Sequence, residues 1–168
     1  MTNLRHPLRL NVGFLINSAI GTSREFNFDL TKMQLGEDLM VQDLIGLARF
    51  SRTPQGLLLQ GDFSVSVYLD CVRCLETYSQ PLKISFTDLY AFDKRNISES
   101  NLLVPEDGQI DLEPLIREYA YLEFPIRPVC KPDCRGLCPV CGENLNQTDC
   151  KHNSESESPF TVLKDLLK

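Results

Sequence analysis

The amino-acid sequence predicts an α+β fold in which an antiparallel β-sheet or partly closed barrel carries one main helix and a C-terminal cysteine-rich segment. Three observations support this class. Apolar and polar residues alternate in several runs between residues 25 and 86, as they do in half-buried strands. A stretch near residues 111–124 has the spacing of an amphipathic helix. Five of the seven cysteines follow that stretch.

The length and composition set the expected domain organisation. The chain has 168 residues, of which 42% are hydrophobic, and this is enough for one core with a small satellite. We expect a mainly antiparallel β domain over residues 1–125 and a cysteine-rich segment packed on it over residues 126–152. The polar residues 153–159 are expected to form a flexible spacer and residues 160–168 a C-terminal helix.

The strands are predicted from alternation and from turn residues. The apolar-rich segments LRLNVGFLI and REFNFDL are separated by the turn sequence NSAIGTS, and the second segment alternates as a half-buried strand. A hairpin is predicted around residues 53–56, because proline followed two residues later by glycine favours a turn. Residues 63–69 then alternate up to Cys71, and another alternating run follows Cys74. The first cysteine pair is therefore predicted at a turn between two strands.

The main helix is predicted between a loop and a proline. Residues 93–108 are polar and rich in turn formers, so we expect a loop there. Asp111 is placed to cap the helix, Pro114 is tolerated in its first turn, and Pro125 ends it. The apolar face of this helix consists of Leu112, Leu115, Ile116, Tyr119 and Ala120.

The seven cysteines and one histidine form four pairs with the spacing of metal ligands. Eight ligands are the number that two tetrahedral zinc sites need. A set of four cysteines and a set of three cysteines with one histidine are both ordinary compositions for structural zinc. The pairs are Cys71 with Cys74, Cys130 with Cys134, Cys138 with Cys141, and Cys150 with His152.

These pairs can be combined in several ways. The sequential arrangement needs the fewest chain crossings, with site 1 formed by Cys71, Cys74, Cys130 and Cys134, and site 2 by Cys138, Cys141, Cys150 and His152. An interleaved arrangement joins the first pair to the third. In a single-zinc arrangement, Cys71 and Cys74 stay unmetallated, as small buried residues or as the dithiol of a redox protein or sensor.

Disulfides are disfavoured by the number and the setting of the cysteines. Seven is an odd number, and the N-terminal sequence has no export signal, so we expect a reducing cytoplasm. The longest apolar runs are a few residues, such as residues 57–59, and no membrane span is expected.

Charge and motif content favour a non-enzymatic binding protein. Lys and Arg number 17 against 23 acidic residues, which gives a net charge of −6. This balance argues against strong binding to naked RNA, and leaves a protein, or a protein on an RNA particle, as the expected partner. No glycine-rich phosphate loop or nucleophile elbow is found, and zinc with four protein ligands has no open position for water.

Four sequence blocks closely resemble the YceD family. They are VSVYLDCVRCLETYSQPL, IDLEPLIREYAYLEFPIRPVC, CRGLCPVCGENLN and SPFTVLKDLL, and the match extends from about Gly61 to the C-terminus. The resemblance implies a role in large ribosomal subunit biogenesis, in which family members support the accumulation of large-subunit ribosomal RNA. It also implies a partner such as a large-subunit ribosomal protein or a pre-ribosomal particle. His152 stands where a cysteine is common in the family, and histidine also ligates zinc.

Overall fold

The computed structural model describes residues 6–96 and 101–152. The spacer and the C-terminal helix that we predicted over residues 153–159 and 160–168 lie outside the described residues. All eight predicted metal ligands lie within them.

The chain divides into two compact units. The first consists of Met1–Leu69 and Ser79–Ile126, and it contains both helices and nearly all of the strand residues. The second consists of Asp70–Tyr78 and Arg127–Lys168, and it contains all seven cysteines. The second unit therefore joins a short connection between two strands to a segment that begins about fifty residues later in the chain.

Most of the regular structure is antiparallel sheet. The elements are β1 Arg9–Asn11, α1 Gly13–Ile16, β2 Ser23–Leu35, β3 Leu39–Arg52, β4 Gly56–Asp70, β5 Thr77–Ala91, β6 Gln109–Asp111 and α2 Glu113–Leu122, with a 3₁₀ turn at Lys94–Asn96. Strands β2 to β5 form a four-stranded sheet in the order β2-β3-β4-β5, with antiparallel β2–β3 and β3–β4 pairs, and β1 pairs with β6 in a separate two-stranded sheet.

The structure distinguishes the two alternatives within the predicted fold class. The antiparallel sheet is confirmed, and it is open, because β2 and β5 are its edges over the described residues and do not pair with each other. Within the described residues, closure into a barrel is not seen. The apolar side of the sheet is covered by helices instead, with α2 in contact with β2 and α1 in contact with β3.

The alternating pattern separates a buried face of the sheet from an exposed one. Phe63, Val65 and Val67 are buried on β4, whereas the intervening Ser64 is exposed and Ser66 is partly exposed. A row of aromatic rings crosses the buried side from the sheet to the helix, with ring centroids 5.7 Å, 6.0 Å and 4.8 Å apart. The row is Phe28, Phe63, Phe86 and Tyr119. One buried face and one solvated face are typical of an antiparallel sheet covered on one side.

Helix α2 has the predicted buried face and a displaced N-terminus. The predicted apolar residues are all buried or partly buried, and Pro114 lies in the first turn. The N-cap position is Leu112, one residue later than predicted, and Asp111 belongs to β6. The Asp111 carboxylate still accepts a hydrogen bond from the Glu113 amide at 2.9 Å. With 10 residues, α2 is far shorter than the roughly 20 needed to cross a bilayer, and no described helix qualifies as a span.

A charged cluster ties the turn between β2 and β3 to α2. The Arg117 guanidinium donates to both carboxylate oxygens of Asp38, at 2.9 Å and 2.7 Å, and the Tyr121 hydroxyl donates to Asp38 at 2.9 Å. These donors, Arg117 first, lower the pKa of Asp38 to about 2. In the same turn, the Gly36 amide donates to the Glu113 carboxylate at 2.9 Å.

Candidate metal centres

The first cluster brings together two cysteine pairs that are far apart in sequence. Its members are Cys71, Cys74, Cys130 and Cys134, and their sulfur atoms all lie within 4.8 Å of one another. The Cys71 and Cys134 sulfurs are 3.8 Å apart, and the Cys74 and Cys130 sulfurs are 3.6 Å apart. Three of the four side chains are buried, and Cys130 is partly exposed. The cluster is therefore enclosed on most sides.

The second cluster is formed within one short stretch of chain. Cys138, Cys141, Cys150 and His152 place one donor atom each within 4.8 Å of the others. Only Cys138 is buried, since Cys141 and His152 are exposed and Cys150 is partly exposed. This cluster is therefore more open to solvent than the first.

Each Cys-x2-Cys pair lies on a tight turn, and the first such turn connects β4 to β5. The Leu75 amide donates to the Cys71 carbonyl at 2.9 Å, and the Cys71 amide donates to the Glu76 carbonyl at 2.9 Å. Leu75 has φ of +58°, the left-handed conformation that glycine adopts most readily. A bulky exposed leucine in this conformation is uncommon.

The second turn has the same hydrogen bonds. The Gly142 amide donates to the Cys138 carbonyl at 2.9 Å, and the Cys138 amide donates to the Glu143 carbonyl at 2.8 Å. Gly142 has φ of +76°, so the glycine of CPVCG occupies the position that Leu75 occupies in the first turn. The two turns present their cysteine pairs in the same way, although only the second has the glycine that this backbone favours.

Backbone amides aimed at sulfur favour the thiolate at Cys71 in the first cluster and at Cys138 in the second. At Cys71, burial raises the pKa, but backbone amides, that of Cys130 foremost, lower it to about 6. At Cys138, the amide of Cys141 is the largest of several causes that lower the pKa to about 6. The neighbouring thiols keep their protons and donate hydrogen bonds to these thiolates. The hydrogen bond from Cys150 to Cys138 therefore raises the pKa of Cys150 to about 11. Thiolates are the form in which cysteine binds metals.

The separations of the donor atoms fit a tetrahedral metal ion. A zinc–sulfur distance of about 2.3 Å places two sulfurs of a tetrahedron about 3.8 Å apart. The two sulfur pairs measured in the first cluster, at 3.8 Å and 3.6 Å, are close to this value and far from the roughly 2.05 Å of a disulfide bond. The four donor atoms of the second cluster also lie within 4.8 Å of one another, so each cluster could hold a metal ion.

The two clusters correspond to the sequential combination of pairs. Among the described residues, the first and second pairs come together in one cluster, and the third and fourth pairs in the other. The structure does not place Cys71 and Cys74 with Cys138 and Cys141, as the interleaved arrangement requires.

Sequence reasoning missed one residue beside the first cluster. The side-chain amide of Asn146 donates to the Cys134 sulfur at 3.4 Å. Asn146 is held in an Asn-x-Asn turn, in which its backbone amide donates to the Asn144 side chain at 3.0 Å. The Asn-rich sequence GENLN predicts a turn, but it does not indicate which cluster the turn faces.

The fold and the two clusters together define a class of protein. It combines an open antiparallel sheet with two cysteine-rich clusters that have metal-ligand geometry. Residues 59–167 match the sequence model of the family described as large ribosomal RNA subunit accumulation protein YceD. The chain belongs to this family, and the resemblance stated from the sequence blocks is confirmed.

Relatives of the chain include bacterial and plant proteins. An uncharacterized protein of Mycobacterium tuberculosis is 32% identical over 123 residues, which cover 71% of this chain and 59% of that protein. An uncharacterized Bacillus subtilis protein is 28% identical, covering 64% of this chain and 65% of its own length. A Zea mays protein named large ribosomal RNA subunit accumulation protein YCED homolog 1, chloroplastic, is 44% identical over 63 residues, or 37% of this chain and 22% of that protein. No solved structure matches the chain.

Proposed function

We propose that this protein is a non-enzymatic ribosome biogenesis factor that supports the accumulation or maturation of large-subunit ribosomal RNA. The observation that carries this proposal is the family match over residues 59–167, which includes all eight candidate ligands. Plant relatives bear the name of large ribosomal RNA subunit accumulation proteins. In this proposal the second unit folds around two metal ions and acts in the cytoplasm as a binding module.

Zinc is the metal that the donor sets favour. Four thiolates, or three thiolates and an imidazole, are soft-to-borderline ligands in tetrahedral arrangement, and this combination selects zinc over magnesium or calcium. Site 1 would use Cys71, Cys74, Cys130 and Cys134, and site 2 would use Cys138, Cys141, Cys150 and His152. Bound zinc would supply folding free energy to a unit whose described residues, Asp70–Tyr78 and 127–152, include few buried apolar side chains besides the cysteines.

A structural role for the metal agrees with the composition of both clusters. Four protein ligands complete a tetrahedron and leave no position for a reactive water. Outside the clusters, the buried carboxylate in the described core is Asp88, and it accepts a hydrogen bond from the Tyr119 hydroxyl at 3.1 Å. Asp88 therefore has a structural partner within the aromatic core, which supports a non-enzymatic function.

The proposed partner is a large-subunit ribosomal protein or an assembly intermediate that carries one. The chain has a net charge of −6, which complements basic ribosomal proteins and opposes binding to a bare phosphate backbone. Acidic character would speed association with a basic partner and make that association sensitive to salt.

The competing function, a thiol redox protein or sensor that uses Cys71 and Cys74, is less well supported. Thiol exchange needs an accessible sulfur, and these two side chains are only 0% and 3% exposed. Both sulfurs also have a second cysteine pair beside them at metal-ligand distances. A dithiol that titrates with a measurable reduction potential in fully metallated protein would favour the redox function.

Two measurements test the proposal. Native mass spectrometry of protein purified under reducing conditions should find two zinc ions per chain, with one lost in Cys71→Ser and one lost in Cys141→Ser. Deleting the gene in its own organism should lower large-subunit ribosomal RNA relative to small-subunit RNA, and the intact gene should restore it. Normal large-subunit RNA in the deletion strain, together with no co-sedimentation of the protein with large-subunit precursors, would contradict the proposal.

A further inference from the structure

The loop of the second cluster reaches a ligand of the first. Asn146 lies between Cys141 and Cys150, the second and third ligands of site 2, and its side-chain amide nitrogen is 3.4 Å from the Cys134 sulfur of site 1. This contact stays within the second unit of the fold. An N–H donor to a ligating sulfur stabilises the thiolate and fixes its orientation.

The orientation of the Asn146 amide is determined by its other partner. The Arg135 backbone amide donates to the Asn146 side-chain oxygen at 2.9 Å, and a backbone N–H can only donate. The oxygen therefore faces Arg135, and the NH₂ group faces Cys134 and Asn144, whose side-chain oxygen accepts from it at 2.8 Å. Asn146 therefore connects the backbone amide of Arg135, the residue that follows Cys134, to the Cys134 sulfur.

Further hydrogen bonds also link the chain beside the second cluster to residues of the first. The Leu137 amide, next to Cys138, donates to the carbonyl of Arg73 in the first turn at 3.0 Å. The Arg73 guanidinium donates to the Cys134 carbonyl at 3.0 Å. Gly136 makes the close approach possible, since a Cβ at this position would lie 3.1 Å from the Arg73 carbonyl oxygen. Displacing the loop of site 2 would therefore disturb the surroundings of site 1.

We propose that Asn146 is a positioning residue that couples the two metal centres, so that site 1 retains its metal tightly only while site 2 holds the Asn146 loop closed. This inference rests on the zinc content proposed above. Removing a group that hydrogen-bonds a metal ligand, as Asn146 does, typically lowers metal affinity 10- to 100-fold. Because coupling between binding sites is reciprocal, opening site 1 should weaken site 2 by the same factor that opening site 2 weakens site 1.

The test uses full-length zinc-loaded protein and a competing chelator of known zinc affinity. Asn146→Asp keeps the oxygen that accepts from Arg135 and replaces the NH₂ donor by a carboxylate oxygen, so the zinc affinity of site 1 should fall 10- to 100-fold. Cys141→Ser opens site 2 and should weaken site 1 by at least 10-fold. Thr148→Val is the matched control, because within residues 6–96 and 101–152 the Thr148 hydroxyl bonds only the Asn144 carbonyl of the same loop. It should change site 1 affinity less than twofold.

Two further measurements separate positioning from general destabilisation. In the Cys141→Ser background, Asn146→Asp should lower the zinc affinity of site 1 by less than a further factor of three, because both changes interrupt the same contact between the two sites. In protein loaded with cobalt(II), Asn146→Asp should shift the sulfur-to-cobalt charge-transfer band to lower energy, and Thr148→Val should leave it in place. Asn146→Ser, which lacks the reach to Cys134, serves as a second variant if Asn146→Asp fails to fold.

The outcomes distinguish the inference from the proposed function. Two zinc ions in the wild type, with unchanged site 1 affinity and an unchanged cobalt spectrum in both Asn146 variants, would overturn the coupling and leave the proposed function intact. Additive losses in the double variant would overturn it as well. A wild-type protein without zinc would overturn the coupling together with the zinc content of the proposed function.

Discussion

Gly61 on β4 offers a direct test of how the first unit is packed. A Cβ built on Gly61 would lie 2.5 Å from Cζ and 2.8 Å from both Cε atoms of Phe86. Gly61 does not have a left-handed φ, so alanine can adopt its backbone conformation and the obstacle is purely steric. Ordinary contacts begin at about 3.4 Å, so Gly61→Ala must displace the Phe86 ring by roughly 1 Å.

The displacement has a calculable consequence, because the Phe86 ring is stacked with two other aromatic rings. It stacks on Phe63 at 6.0 Å and on Tyr119 at 4.8 Å, with both interplanar angles at 13°. Overpacking of this kind costs about 1–3 kcal/mol, and disturbing an aromatic pair adds about 0.5–1.5 kcal/mol. Replacing glycine by alanine in a strand returns about 0.5–1 kcal/mol. We therefore expect Gly61→Ala to destabilise the protein by about 2 kcal/mol.

Thermal and urea unfolding of the zinc-loaded protein measure this change. A loss of about 2 kcal/mol should lower the melting temperature by roughly 5–10 °C. Phe86→Leu removes the ring edge, so Gly61→Ala should cost less than about 0.5 kcal/mol in that background if the clash is its cause. Equal costs in both backgrounds, or a neutral Gly61→Ala, would show that the Phe86 ring does not limit packing at this position.

Three further predictions concern pH and metal. The folded pKa of Asp38 is lowered to about 2, so the stabilisation that its carboxylate contributes is present above the unfolded pKa of 3.8 and is lost as the pH falls from about 4 to 2. Arg117→Gln should reduce the loss of stability over this pH range, and an unchanged acid-unfolding profile would contradict the role given to Arg117. Burial first, and then nearby carboxylates, raise the pKa of Tyr90 to about 12, so stability should fall by roughly 2–3 kcal/mol between pH 10 and 12. Tyr90→Phe should remove this part of the alkaline loss in urea unfolding, and an equal loss in both proteins would refute it. If the proposed zinc ions are bound, their chelation should abolish hydrogen-exchange protection of the Leu75 and Gly142 amides, which bond the carbonyls of the candidate ligands Cys71 and Cys138. Protection that survives complete metal removal would show that these turns form without metal.

Local patterns were sufficient for most of the sheet. Alternation is a local property with a period of two residues, so it identifies the buried positions of β4 and β5 without reference to their pairing. The turn residues at 53–56 likewise located the hairpin, in which the Thr53 amide donates to the Gly56 carbonyl at 2.9 Å. The N-terminal LRLNVGFLI was harder, because its apolar residues are divided between the three-residue β1 and the four-residue α1. Elements this short hold too few residues to show a period.

Whether the sheet closes depends on contacts that no local pattern encodes. The same alternating strands could form an open sheet or a partly closed barrel, because both bury one face of each strand. The sheet stays open here while α1 and α2 pack against its strands. The pairing of β1 with β6, about a hundred residues apart, is equally invisible to local reasoning.

The candidate metal ligands are identified by sequence alone, because pairs of Cys or His residues one to three residues apart are local features whose spacing survives in any fold. The sequence could also count eight ligands and favour their sequential combination, yet the grouping itself is a tertiary fact: the Cys74 and Cys130 sulfurs meet at 3.6 Å across 56 residues of chain. Only the folded structure shows Leu75 in a left-handed conformation and Asn146 beside Cys134. The physical reason is that short-range backbone preferences fix which residues can ligate, whereas long-range packing decides which of them meet and which neighbours orient them.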